Sequence, residues 1–134
     1  MPIVGIGTDI IEINRITIME EAIRDRLAKR VLTSQEYQQF CNLNVQSKDS
    51  NINKAVRYLA KRWAGKEAAA KALGTGIAQG VSFQHIEIIS LESGQPTLLL
   101  TGQALVIARL KKSTNWHISL ADEKLYATAF VTLS

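Results

Sequence analysis

Lys54-Ala-Val-Arg-Tyr-Leu-Ala-Lys-Arg-Trp-Ala-Gly-Lys-Glu-Ala-Ala-Ala-Lys-Ala-Leu-Gly74 carries no proline, is filled by alanine and leucine, and ends on a glycine. That composition predicts one long helix closed by a left-handed cap at Gly74. At about 100° per residue, Ala55, Val56, Leu59, Ala60, Trp63 and Ala70 share a broad apolar face, and Lys54, Arg57 and Lys61 fall on the opposite, solvated one. Glu67, the only acidic residue of the stretch, projects from the apolar side. A carboxylate held away from water needs a counter-charge or a metal. Lys71, one turn on in the favourable order, predicts an intrahelical salt bridge. The competing reading makes Glu67 a metal ligand and Lys71 a phosphate ligand.

The regions on either side predict an α+β domain, a long central helix and shorter helices packed on a small antiparallel sheet. Residues 3–11 read as a mostly buried strand running into a turn, with Gly5 and Gly7 leaving room for close backbone approach or a bulge. Asp9 stands there among Ile6, Ile10 and Ile11, a second carboxylate in apolar company, or an N-cap for the next helix. Residues 12–31 read as one helix. Thr33-Ser-Gln-Glu36 is a capping box opening a second, reaching about Asn42, and residues 43–52 read as a polar loop. After Gly76 come strands at 83–89 and 97–101 joined by a turn at Glu92–Pro96, a helix at 103–112, and strands at 116–120 and 126–133.

The 134 residues suit one domain, 1–134. Hydrophobic content of 46% and charged content of 21% are those of a globular protein, and no apolar run reaches the roughly 18 residues of a membrane span. The N-terminus has no signal-peptide pattern, and Cys41 is the only cysteine, which excludes a disulfide framework or thiolate metal site. A cytoplasmic enzyme or binding domain is expected. The net charge of +4 is concentrated, with six Lys or Arg in residues 54–71 and four in 24–30. Such clusters predict an anionic partner, or merely solvated helix faces. Gly74-Thr75-Gly76 sits at a helix C-terminus, where phosphate loops do not, so a cap and turn is the plainer reading. His85 and His117 lack a second ligand at zinc spacing. Asp9 and Glu67, amid Arg and Lys, stand out. Two hard oxygen ligands suit Mg²⁺ shared with substrate phosphates. From the residues alone, Mg²⁺-dependent phosphate chemistry and a basic module binding nucleic acid or an acidic protein both stand.

Gly7-Thr-Asp-Ile-Ile-Glu-Ile-Asn-Arg15 resembles the N-terminal signature of the 4′-phosphopantetheinyl transferases of holo-(acyl-carrier-protein) synthase type. Arg62-Trp-Ala-Gly-Lys-Glu-Ala-Ala-Ala-Lys-Ala-Leu-Gly-Thr-Gly76 resembles their second signature; the Gly94-Gln-Pro96 turn and the segment from Ser119 to Ala127 match as well. The resemblance implies that fold, and transfer of 4′-phosphopantetheine from coenzyme A to a serine of apo acyl carrier protein in fatty acid biosynthesis. It implies Mg²⁺ on Asp9 and Glu67, Lys71 near the pyrophosphate, and Lys66, Lys71, Gly74, Thr75 and Gly76 lining the coenzyme A site. It also implies Arg15, Arg24, Arg26 and Arg30 facing the acidic carrier, and a homotrimer with active sites between subunits; neither nucleic acid nor membrane is a partner. Three positions depart from the family pattern. Asp122 replaces a frequent histidine and leaves open contact with metal-bound water or a partner. Trp63 stands where Phe is usual. Gly65 interrupts the long helix at a cost of roughly 1 kcal/mol, allowing close approach of a ligand or another helix.

Overall fold

The computed structural model describes residues 2–46 and 53–134. Strand β1 (Gly5–Glu12) runs antiparallel to β5 (Tyr126–Leu133), with Gly5 opposite Leu133 and Glu12 opposite Tyr126. Strand β4 (Trp116–Asp122) pairs with the other edge of β5, giving the order β1-β5-β4. A separate hairpin joins β2 (Ile86–Ser90) to β3 (Pro96–Leu100), its turn closed by mutual backbone bonds of Leu91, Gly94 and Gln95. The helices are α1 (Asn14–Thr17), α2 (Glu21–Val31), α3 (Ser34–Gln46), α4 (Lys54–Leu73) and α5 (Gly102–Leu110). Helices packed on antiparallel strands are the α+β class expected.

Helix α4 begins where Asn53 accepts the Val56 amide on its side-chain oxygen and stops at Gly74, whose φ of 82° is left-handed. Gly74 and Gly76 donate their amides to the Lys71 and Ala70 carbonyls, so two of the loop's three N–H groups close the helix. The helix is buried nearly all round. One core, with Ile11, Ala68, Leu73, Ile88 and Val131, lies against the sheets; a second, with Ile16, Ala28, Val31, Leu59 and Phe83, lies under α1 and α2. The single apolar face expected from the helical wheel is thus too narrow, because α4 runs between two cores.

Alternation along β1 turns Gly5, Gly7, Asp9 and Ile11 toward α4 and Ile6, Thr8, Ile10 and Glu12 away. At Gly7 the contact is backbone on backbone, since a Cβ there would stand 1.9 Å from the Ala68 carbonyl oxygen. Gly5 and Gly7 therefore serve close approach, with no bulge in the β1 register.

Three local expectations are corrected. Residues 12–31 are not one helix: pairing with Tyr126 keeps Glu12 extended, and the chain breaks again between Thr17 and Glu21. The capping box forms, the Thr33 amide donating to Glu36 and the Glu36 amide to Thr33, but α3 runs on to Gln46 and takes in the first residues of the expected loop. The remainder of that loop, 47–52, lies outside the described residues. At Gly65 the close neighbours are the methyl groups of Ile88, Ile118 and Leu120, so its missing Cβ admits the sheets, and neither a ligand nor another helix.

Candidate active site

Asp9 reaches α4 because β1 lies against that helix through two glycines. The side chain is half-buried and, being inside a strand, is not an N-cap. On α4, Glu67 and Lys71 stand one turn apart on the side nearest β1. The Lys71 ammonium donates to Asp9 Oδ1 and to the Thr8 carbonyl, each at 3.0 Å. Lys71 thus pairs with the strand, and the expected intrahelical bridge to Glu67 does not form; among the described residues Glu67 has no salt bridge. Burial pushes the Glu67 carboxyl above its ordinary range, and the nearby charge of Asp9 pushes it further, against the pull of Lys71, Trp63 and Arg30. A carboxylate whose charge is disfavoured by burial and by a neighbouring carboxylate, with one cation nearby, makes a site that gains from a further cation.

Cations surround this pair. Arg15 stacks its guanidinium over the Trp63 ring at 5.4 Å, one turn of α4 before Glu67, and Arg30 lies 5.9 Å over Phe83 with its charge felt at Glu67. Arg26 is exposed on α2. Arg24 is used differently: its guanidinium donates to the Ile16, Thr17 and Met19 carbonyls at 3.0–3.3 Å, capping α1, so its cationic head is tied to the backbone. Gly74, Thr75 and Gly76 follow Lys71 at the end of the helix. The Lys111 ammonium stands beside them, 3.5 Å from where a Gly74 Cβ would be. Only its place at the end of a helix packed on the cap reveals Lys111; no pattern in the sequence does.

Lys66 is not a surface ligand. Its side chain has 0% exposure, and its ammonium meets Glu36 Oε1, the Val31 carbonyl at 2.7 Å and the Phe83 carbonyl at 3.2 Å. Three donors meet three acceptors, and added subunits cannot expose a side chain already enclosed within its own chain. We therefore assign Lys66 no contact with coenzyme A. Asp122, at the end of β4, bridges Arg57 at 3.1 Å and Lys61 at 3.4 Å, which ties the strand to α4. His85 Nδ1 accepts the Ser82 amide, and His117 lies on the exposed face of the sheet.

No group of three or more His, Cys, Asp or Glu side chains suited to a metal occurs among the described residues. Asp9 and Glu67 supply two hard oxygens, too few for a zinc or calcium cage. They fit Mg²⁺, which keeps waters and takes phosphate oxygens in its remaining positions. With Lys71 on Asp9 and the Arg30 charge felt at Glu67, the arrangement can bind a diphosphate and offset charge moving onto a leaving phosphate. Among the described residues no helix is long and apolar enough to cross a membrane.

Comparison with known proteins places the chain in a family. Residues 5–131 match the 4′-phosphopantetheinyl transferase superfamily. The chain is 49% identical over 131 residues to a holo-(acyl-carrier-protein) synthase of a Marinomonas species, covering 98% of this chain and 97% of that one. Its fold is similar to the crystal structure of a holo-(acyl-carrier-protein) synthase from Neisseria meningitidis, with a TM-score of 0.82, 36% identity and 99% of both chains covered. A Bacillus anthracis synthase in complex with coenzyme A (3′,5′-ADP) gives a TM-score of 0.76 at 37% identity, over 98% of this chain and 96% of that one.

Proposed function

The chain belongs to the 4′-phosphopantetheinyl transferase superfamily, and from that premise we propose that it transfers 4′-phosphopantetheine from coenzyme A to a serine of an apo acyl carrier protein. The whole chain acts as one transferase domain, and adenosine 3′,5′-bisphosphate leaves. The observation that carries the reading is the convergence of Asp9, Glu67 and Lys71 where β1 lies against α4.

Asp9 and Glu67 would hold a Mg²⁺ ion, which would supply positive charge against the diphosphate of coenzyme A. Lys71 orients the diphosphate and offsets charge on the departing phosphate. The serine oxygen attacks the phosphorus bonded to pantetheine and gives its proton to water, and the bond between that phosphorus and the bridging oxygen breaks with the electron pair leaving on adenosine 3′,5′-bisphosphate. Gly74, Thr75 and Gly76 offer a surface without bulky side chains for the rest of coenzyme A, with Lys111 beside it. Arg15, Arg26 and Arg30 face an acidic carrier; Arg24 contributes less, its head being held by α1.

The non-enzymatic basic module loses its support inside α4. Of the six cations in 54–71, Arg62 and Lys66 are buried, Arg57 and Lys61 share Asp122, and Lys71 holds Asp9. A stripe so occupied is a poor track for nucleic acid, so neither nucleic acid nor membrane is a partner in this reading.

The outer face of the β1-β5-β4 sheet supports a homotrimer with sites between subunits. Ile6 and Ile10 are each 61% exposed there and lie beside Phe130 and Tyr126. A patch of that kind suits a subunit contact. Its soluble substrates put the enzyme in the cytoplasm, serving fatty acid biosynthesis.

The test is the intact mass of an apo acyl carrier protein after incubation with this protein, coenzyme A and Mg²⁺. A gain of one phosphopantetheine, abolished by EDTA and restored by Mg²⁺, is expected. Folded protein that modifies none of several apo carriers would overturn the reading.

A further inference from the structure

Helix α2 carries Arg26 and Arg30 but has little hold on the core, since Ala28 and Val31 are its only fully buried residues. Any helix ends in carbonyls without helical partners. Here two side chains from elsewhere take the last of them. The Lys66 ammonium donates to Val31 at 2.7 Å. The Gln84 carboxamide donates to Leu32 at 2.7 Å and lies 3.3 and 3.4 Å from the Arg30 and Lys29 carbonyls.

The two donors are themselves anchored. Lys66 precedes Glu67 on α4 and is held by Glu36, whose other oxygen takes the Ile88 amide at 2.8 Å. Gln84 sits in the 3-10 turn Phe83–His85, whose Phe83 carbonyl accepts from the same ammonium and whose Phe83 ring carries Arg30. The end of α2 is therefore clamped to the helix that bears Glu67, next to the arginine whose charge Glu67 feels.

We propose that Lys66 and Gln84 are positioning residues: they dock the C-terminal turn of α2 on α4 and so set where Arg26 and Arg30 stand relative to Asp9 and Glu67. The inference rests on the transferase reading above, and it locates control of carrier recognition in residues that touch neither substrate. Loosening the clamp lets α2 sample positions from which its arginines no longer meet a docked carrier, while Asp9, Glu67 and Lys71 stay on rigid elements. Carrier affinity and coenzyme A affinity then separate.

Gln84→Met keeps the length of the side chain, removes both donors and lies on the surface. Its KM for apo carrier should rise about three- to tenfold, the worth of a few modest hydrogen bonds. Its kcat and its KM for coenzyme A should stay within twofold of wild type. Amide exchange across α2 should accelerate while α4 keeps its protection. Lys66→Met, if near-ultraviolet circular dichroism shows it folded, should give the same split; otherwise the Gln84 variant decides alone. An unchanged carrier KM, whatever the exchange shows, overturns the inference, as does an equal loss in kcat and both KM values. Wild-type protein that transfers nothing would overturn the transferase reading instead, and wild-type transfer with unsplit Gln84→Met kinetics sinks this inference only.

Discussion

At Lys66 every charge is enclosed: one ammonium meets three oxygens, and Glu36 receives two backbone amides besides. One residue later the arrangement reverses. Glu67 stays half-buried without a salt bridge among the described residues, Asp9 is served by one exposed lysine head, and the charge of Asp9 makes that of Glu67 less welcome. The interior cluster is complete and so resists change. The outer one is incomplete in one respect, positive charge, which a metal ion would bring. Adjacent positions of one helix thus divide between holding the fold and, in the proposed reaction, doing chemistry, and burial with saturated partners distinguishes them better than charge.

The hardest break in this contrast is Lys66→Ala. Leaving Glu36 enclosed at 3% exposure with no cation should cost about 3–5 kcal/mol. Denaturant titration checks it, and a loss under about 1 kcal/mol would show that water or another cation replaces the ammonium. Glu67→Gln should do the opposite, removing roughly 10²–10³ of kcat. Its melting temperature at neutral pH should hold or rise, since the folded state disfavours this carboxylate's charge. Near-full turnover with unchanged Mg²⁺ dependence would remove Glu67 from the metal site.

Gly7→Ala tests the approach that unites the two halves of the site. Its Cβ would overlap the Ala68 carbonyl oxygen and push β1 off α4, for about 1–3 kcal/mol or more and a weaker Mg²⁺ response. An innocuous alanine would mean that the strand can shift without moving Asp9. The mildest variant, Tyr58→Phe, concerns pH. Burial raises the Tyr58 phenol from 10.0 to about 12. The unfolded chain therefore ionises first, and stability falls as pH rises from about 10 to about 12. Removing the hydroxyl should blunt that alkaline loss and change little at neutral pH; a wild-type alkaline slope in the variant assigns the loss to other groups.

Much of this was legible because it is local. The α4 boundaries follow from an unbroken run of helix formers closed by Gly74; the capping box reads directly from Thr33 and Glu36. Asp9 and Glu67 stood out as acids in apolar company, and the fold brings them together. The features that escaped depend on distant residues. Lys66 and Arg62 count only as members of a cation cluster because their acceptors lie 17 to 35 residues away, and no periodicity records that their long aliphatic stems run inward. The break before α2 likewise reflects Arg24 gathering carbonyls and β5 holding Glu12, neither visible in a hydrophobic pattern.

Strand β1 alternates its side chains, so Asp9 and Ile10, bonded to each other, look toward opposite sides of the sheet. In the assembly proposed here, one strand would then report how crowded the protein is on one face and offer a metal ligand on the other. Dilution that frees Ile10 would reach Asp9 through a single peptide unit. Specific activity would then fall with protein concentration even at saturating Mg²⁺, giving the enzyme a lag on dilution and a recovery on reconcentration.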